Sequence, residues 1–536
     1  MRHTEGRRSS FTVGVASMML LLVLSSCSDS NNDNLTFLQK PQADNPLVEG
    51  PVTAGGADDC CIINVLGIEL DIRVLDSYTP GTAFYGRPLI YPEEEVGYRE
   101  TEYFFSGTAM SYIATDELAS DGVWSVAQAD AAQYKSRIVV DRPVNEADFN
   151  GTVVVEWLNT TSGLDSSPDW NQMHTELTRE GYVWVGVSAQ LAGILESTAP
   201  FGIPLTLLDV ERYGSLHHPG DSFSYDIFSQ AAQAVRNPVG MDPLEGLQVE
   251  RMIAVGQSQS ASRLATYVNA VHPTIDLFDG FIIHSRGCRS SALSQLPEVE
   301  VRTPDPVYIR TDLPEPVLAL QSQSDAIRAA DCRQADSTGY RLWEVAGSAH
   351  ADLYTSQARG SLDKGTDPTI ADVLSDKVVQ APFISCQLPI NDGPGHWVAK
   401  AAIASVNRWI ITGEAAASAS VLELDAQGMG YALDSLGNAK GGVRTPYVDA
   451  PVATFAGSGQ PTLPGVGDFC GLFGITELFD EAQLQALYPD KQAYIDAIDT
   501  TTDSAVEAGF LLPKDAALIK ERARTSPLPA AHPTAG

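Results

Sequence analysis

The sequence predicts an α/β fold: a mostly parallel sheet with helices on both faces, preceded by a β-rich segment and followed by a mixed appendage. Three observations predict it. Short β-branched or aromatic runs alternate with helix-like stretches over residues 136–416. Hydrophobic residues make up 44% of the 536 and charged residues 19%, the balance of ordinary globular protein. No internal repeat divides the chain. Alternation on this scale means crossover units whose strands are buried on both faces.

The elements follow in order. Ser136 to Val140, Thr152 to Leu158 and Tyr182 to Val187 read as strands, each bounded by Gly, Pro, Asn or Asp. Trp170 to Glu180 reads as a helix stopping before Gly181. Arg251 to Val255 is an apolar strand, and Ser260 to Val271 then places Ala261, Leu264, Ala265, Val268 and Val271 on one helical face. Gly280 to His284, Val317 to Leu320 and Leu342 to Val345 add three strands. His396 to Thr412 is an amphipathic helix stopped by Gly413. Residues 59–135 read as hairpins and loops. Residues 417–536 form an appendage packed on this core, with helical signals from Asp480 onward.

The amino terminus reads as an address. Residues 1–26 carry Arg2, Arg7 and Arg8, then an apolar run from Phe11 to Leu24 that is too short to span a bilayer. Leu24-Ser-Ser-Cys27 resembles a bacterial lipobox, which implies cleavage before Cys27 and lipidation of its thiol. Residues 27–58 are rich in Asn, Asp, Ser, Gly and Pro and read as a flexible tether. The expected location is the cell envelope, anchored by lipid, with the outer membrane favoured.

Lys plus Arg number 34 against 68 Asp plus Glu, a formal charge of −34. Such a surface repels phosphate backbones and anionic lipid, so nucleic acid is not an expected partner. Beyond Cys27 stand Cys60, Cys61, Cys288, Cys332, Cys386 and Cys470. An even number in an exported chain points to disulfides, and six allow 15 pairings. Adjacent Cys60 and Cys61 are not expected to bond each other. No CxxC spacing of a zinc site occurs among them, and no metal or organic cofactor is expected.

One turn carries the chemistry. Arg251-Met-Ile-Ala-Val-Gly256-Gln257-Ser258-Gln259-Ser260-Ala261 reads as strand, tight turn and helix. It resembles the nucleophile elbow G-x-S-x-G of α/β-hydrolases, with Ser260 in place of the last Gly. Small residues are needed on either side because strand and helix approach closely there. A serine nucleophile needs a base and an orienting acid, in chain order Ser, Asp/Glu, His for this fold. Of nine histidines, His3 and His532 lie in terminal segments, and His174 and His272 lie on or beside helices. His217, His218 and His284 come too early, leaving His350 and His396. His350 follows the last strand directly and is the expected base; His396 opens the last core helix as a supporting or capping residue. Asp325 follows the strand Val317 to Leu320 and is the expected acid. The oxyanion hole is expected from the backbone N–H groups of Gln259 and Thr160. Glu156, inside its strand, is expected to be a satisfied structural carboxylate.

Five stretches carry a wider resemblance: 97–109, 149–159, Gly256-Gln-Ser-Gln-Ser260, Gly347-Ser-Ala-His350 and 441–447. Together they are similar to the bacterial exported α/β-hydrolase-domain proteins, and they span nearly the whole mature chain. The resemblance implies a Ser–Asp–His triad, which falls on Ser258, Asp325 and His350. The family pattern often carries an acidic residue two positions before that Asp, where this chain has Gln323.

The expected activity is hydrolysis of small-molecule or polymeric carboxylic esters through an acyl-enzyme. A lactonase, an amidase, a polyester depolymerase and a non-catalytic envelope lipoprotein are the alternatives. Insertions near 191–228, 285–315 and 353–390 are expected around the core. The first is apolar enough to roof the site or to pack under the appendage, and the second is another candidate lid.

Overall fold

The computed structural model describes residues 43–52, 62–65, 68–71, 96–195, 202–357, 380–381, 384–460 and 469–527. The expected signal segment, Cys27, most of the expected tether, Cys60, Cys61 and much of 353–390 lie outside them. All described residues belong to one compact unit, Lys40–Gly536.

Ten strands form the main sheet: β1 (Leu47–Glu49), β2 (Tyr98–Ala114), β3 (Val126–Pro143), β4 (Thr152–Trp157), β5 (Val183–Val187), β6 (Val239–Gly240), β7 (Arg251–Gln257), β8 (Gly280–His284), β9 (Val317–Ser322) and β10 (Tyr340–Val345). Their order is β10-β9-β8-β7-β4-β5-β3-β2-β1-β6. The run from β5 through β4 and β7 to β10 is parallel. The strands β2 and β3 pair antiparallel, and β3 joins β5 antiparallel. Four helices line this core: α1 (Pro168–Arg179), α2 (Ser224–Arg236), α3 (Gln259–Thr266) and α4 (Gly395–Thr412).

The alternation of side chains along each strand decides which helix packs where. From β4, Val153, Val155 and Trp157 face one core, with Met252 and Ala254 of β7 and Phe281 and Ile283 of β8. Helices α2 and α3 close that core through Ile227, Phe228, Ala261 and Leu264. Val154, Ile253, Val255, Ile282 and Leu318 face the other core, closed by Trp170 and Met173 of α1 and Val398 and Ala402 of α4. Both faces are covered, so these strands are apolar through their middles, over Val153–Val155, Met252–Val255, Phe281–Ile283 and Val317–Leu320.

Three boundaries differ from the expectation. Residues 47–49, expected within the 27–58 tether, form β1, pair with β2 and bury Val48, so the tether does not run to residue 58. The segment before residue 136 is no separate hairpin region. The strand β3 begins at Val126 and pairs with the 17-residue β2, so that boundary cuts a continuous strand. Its outer half is polar and alternates with exposed positions, which weakens the sequence signal there. The helix expected over 260–271 is α only to Thr266 and widens into a π turn over Tyr267–Val271.

The appendage ends in three helices, the last two being α5 (Lys491–Glu507) and α6 (Pro513–Thr525). They pack on Trp397 of α4 through Tyr494, Ile498, Ile519 and Ala523. Buried Asp515 at the start of α6 lies 2.5 Å from Arg179 of α1 and 3.3 Å from Lys400 of α4. Disulfides join Cys288 to Cys332 and Cys386 to Cys470.

Candidate active site

Ser258 stands between the last residue of β7 and the first of α3, with φ 63° and ψ −117°. That conformation is strained for any residue with a Cβ, at a cost of about 1–3 kcal/mol. The surroundings hold it. The Ser258 N–H donates to the His284 carbonyl at 2.9 Å. A Cβ on Gly256 would lie 3.1 Å from the carbonyl carbon and oxygen of Ser260, so the turn has little room at that position. Ser260 serves in place of glycine because its hydroxyl folds back and donates to the Gln257 carbonyl at 2.8 Å. Ser258 is partly exposed while Gln257 and Ser260 are buried.

The structure brings two other expected residues together. His350 Nδ1 lies 2.9 and 2.8 Å from the two carboxylate oxygens of Asp325. Asp325 is buried and also accepts from the Ser322 hydroxyl at 2.5 Å. Burial by itself would raise the Asp325 carboxyl, but the adjacent imidazole and the hydrogen bonds from His350 and Ser322 outweigh it and hold the carboxyl below its usual range. Burial by itself would lower the His350 imidazole, but the Asp325 charge and hydrogen bond prevail and raise it above 6.5.

Serine and histidine sit on loops tied to each other. The Gln257 side-chain amide donates to the His350 carbonyl at 2.9 Å. Ser324 Oγ accepts the His350 N–H at 3.0 Å and donates to the Gly457 carbonyl in the appendage. Gln323, at the position where an acidic residue was expected by resemblance, has a different task. Its side-chain oxygen accepts the Gly347 N–H at 2.7 Å, and its carbonyl accepts the Tyr431 hydroxyl. The appendage therefore buttresses both the acid loop and the histidine loop. Sequence reasoning gave no task to Gln257, Gln323 or Ser324; for the last two the polar run Gln321-Ser-Gln-Ser-Asp325 closing an apolar strand was the signal.

Gln259 opens α3 directly after Ser258. Thr160 is buried in the loop after β4. That loop is set against the serine turn by Asn159, whose side-chain amide donates to the Gln257 carbonyl at 2.9 Å. Buried Asp165 anchors its other end, accepting from Arg137 at 2.9 Å and Ser188 at 2.5 Å. Arg137 also meets Glu102 at 3.2 Å, and Glu102 accepts from Arg212 Nε at 2.7 Å and from the Tyr213 hydroxyl at 2.9 Å. Arg212 and Tyr213 belong to the 191–228 insertion. There Ile194, Leu205, Leu208 and Tyr213 pack on Phe104 of β2. The described part of the insertion thus packs against β2 and the Thr160 loop.

Glu156 accepts from the backbone N–H groups of Asp169 and Trp170 at 3.0 and 2.8 Å and from Trp184 at 3.0 Å, which satisfies it as a structural carboxylate. His284 pairs with Asp169 at 2.7 Å in a buried contact. His396 is buried and stacks on Tyr354, with ring centroids 3.7 Å apart.

A family model described as "Alpha/beta hydrolase domain" matches residues 72–521. The chain belongs to that family. This hydrolase is similar at low identity to several solved structures. A Xanthomonas campestris protein described as a serine hydrolase without lid, XC6422, shares 12% identity over 44% of this chain and 83% of its own, with TM-score 0.23. The rice cell wall degrading esterase LipA of Xanthomonas oryzae shares 13% over 35% of this chain and 43% of its own, with TM-score 0.20. The glucuronoyl esterase of Solibacter usitatus shares 11% over 37% of this chain and 50% of its own, with TM-score 0.20. No curated protein matches this chain.

Proposed function

We propose that this hydrolase cleaves carboxylic esters with Ser258 as nucleophile, His350 as base and Asp325 as the acid that orients it. The observation that carries this reading is the Asp325–His350 pair. With Nδ1 turned to the carboxylate, Nε2 is the nitrogen that takes the serine proton. Ser258 Oγ attacks the ester carbonyl as its proton passes to His350 Nε2. The resulting oxyanion accepts hydrogen bonds from the N–H groups of Gln259 and Thr160. Collapse expels the alcohol, which takes its proton from His350 and leaves an acyl-serine. Water then attacks, giving its proton to His350, and a second collapse releases the acid and restores Ser258.

Export and lipid anchoring at Cys27 belong to the same proposal. Two disulfides in the folded domain favour an oxidising compartment. A Cys27→Ser variant that still incorporated labelled fatty acid would remove that part.

The decisive test is a fluorophosphonate with mass mapping of its adduct, beside a panel of p-nitrophenyl esters. A single adduct on Ser258 is expected. Ser258→Ala should lose the adduct and lower kcat by on the order of 10⁴-fold or more. Ester turnover undiminished in Ser258→Ala would move the nucleophile elsewhere.

A further inference from the structure

Away from the serine site, at the opposite ends of the strands, three residues converge. His272 follows the π turn that continues α3. Asp276 closes the short helix from His272, donating its N–H to the His272 carbonyl at 2.9 Å in a left-handed conformation with φ 62°. Glu315 stands two residues before β9. One ligand atom from each lies within 4.8 Å of the others. His272 Nε2 is 3.2 Å from a carboxylate oxygen of Glu315.

His272 gives the grouping its meaning. The residue is only 1% exposed, yet neither ring nitrogen makes a hydrogen bond. The approach to Glu315 therefore lacks hydrogen-bond direction. Burying an imidazole in that state costs free energy that a hydrogen-bonded one does not lose. The ring is held edge-on by Phe281, with centroids 4.8 Å apart. Two donors bound to one metal at about 2.1 Å sit roughly 3.0–3.4 Å apart, so the observed separation suits a shared ion. One imidazole with two carboxylates selects a transition metal of the zinc class, since calcium and magnesium prefer all-oxygen shells. Asp276 is exposed and Glu315 partly so, which gives an ion and its waters a way in.

We propose that His272, Asp276 and Glu315 bind one divalent transition-metal ion, with zinc as the probe. The ion clamps the run continuing the nucleophile helix α3 to the lead-in of β9, the strand that carries Asp325 beyond its far end. Its role is structural and separate from the ester chemistry.

The test uses the purified protein, stripped with a chelator and titrated with Zn²⁺ by calorimetry and thermal unfolding. One ion per chain is expected, with a rise in Tm. Asp276→Asn combined with Glu315→Gln leaves the buried ring in place, and asparagine tolerates positive φ. Loss even of supporting groups around a metal costs about 10–100-fold, so losing two ligands should weaken binding at least 100-fold and abolish the Tm rise. Equal affinity in the double variant, or no binding and no Tm rise in the parent, would overturn the proposal. Anomalous scattering from zinc-soaked crystals gives a second reading, with a peak beside His272 Nε2 expected and a peak elsewhere contradicting it.

Discussion

The Gln257 side chain reaches from the residue before Ser258 to the carbonyl of His350, 2.9 Å away, so one hydrogen bond spans the turn of Ser258 and the loop of His350. Gln257→Ala removes that span without touching the Ser258 or His350 side chain. Misplacement by about 1 Å at such a site can cost roughly 100-fold, so kcat should fall about 10–100-fold with KM little changed. Steady-state kinetics on a p-nitrophenyl ester checks this; an unchanged kcat would show that the loops hold themselves.

The Asp325–His350 pair sets the pH dependence. In the proposed mechanism His350 must be neutral to accept the serine proton, and Asp325 raises its pKa above 6.5. kcat/KM should therefore rise with pH through a midpoint above 6.5. In Asp325→Asn the raising charge is gone and burial remains, so the midpoint should move down while kcat falls by on the order of 10⁴-fold. A midpoint that stayed in place would detach the acid limb from this pair.

Gly193 lies where the insertion meets the Thr160 loop. A Cβ there would lie 1.9 Å from the Asp165 carboxylate and 3.2 Å from the Thr160 methyl. Asp165 cannot retreat, because Arg137 and Ser188 hold it. Gly193→Ala should destabilise by about 1–3 kcal/mol through overpacking. If Thr160 serves the oxyanion, kcat should drop with it. Urea unfolding and kinetics on the same preparation separate the two effects.

Asp352 is buried, and burial pushes its carboxyl up to about 6. The folded state thus holds a proton that the unfolded chain has released, so stability is lost as pH rises from about 4 to about 6 and is level above. Asparagine can still accept from the Thr355 N–H and hydroxyl, now at 2.7 and 2.6 Å. Asp352→Asn should gain about 2–3 kcal/mol at pH 8, and the gain should vanish near pH 4. Urea unfolding at both pH values reads the difference, and a gain independent of pH would assign it to packing.

Much of this hydrolase was legible in its sequence. The parallel strands are buried on both faces and so carry apolar runs through their middles, which places strands beginning near Thr152, Arg251, Gly280 and Val317. The elbow around Ser258 needs small residues within a few positions, a local demand that leaves a local pattern. The placement of Asp325 and His350 followed from chain order, because each loop must leave the same end of the sheet.

What only the tertiary structure decided lies in contacts between distant segments. The outer half of β3 has polar, exposed positions and becomes a strand by pairing with β2. The hold of Gly457 on Ser324 crosses 133 residues, and the hold of Tyr431 on Gln323 crosses 108. Arg212, Glu102, Arg137 and Asp165 form one buried network from four separate segments. A charge in sequence has no partner written beside it. Periodicity and turn chemistry act over a few residues and are read directly, whereas buried polar pairing is fixed by which loops the packed sheet brings together.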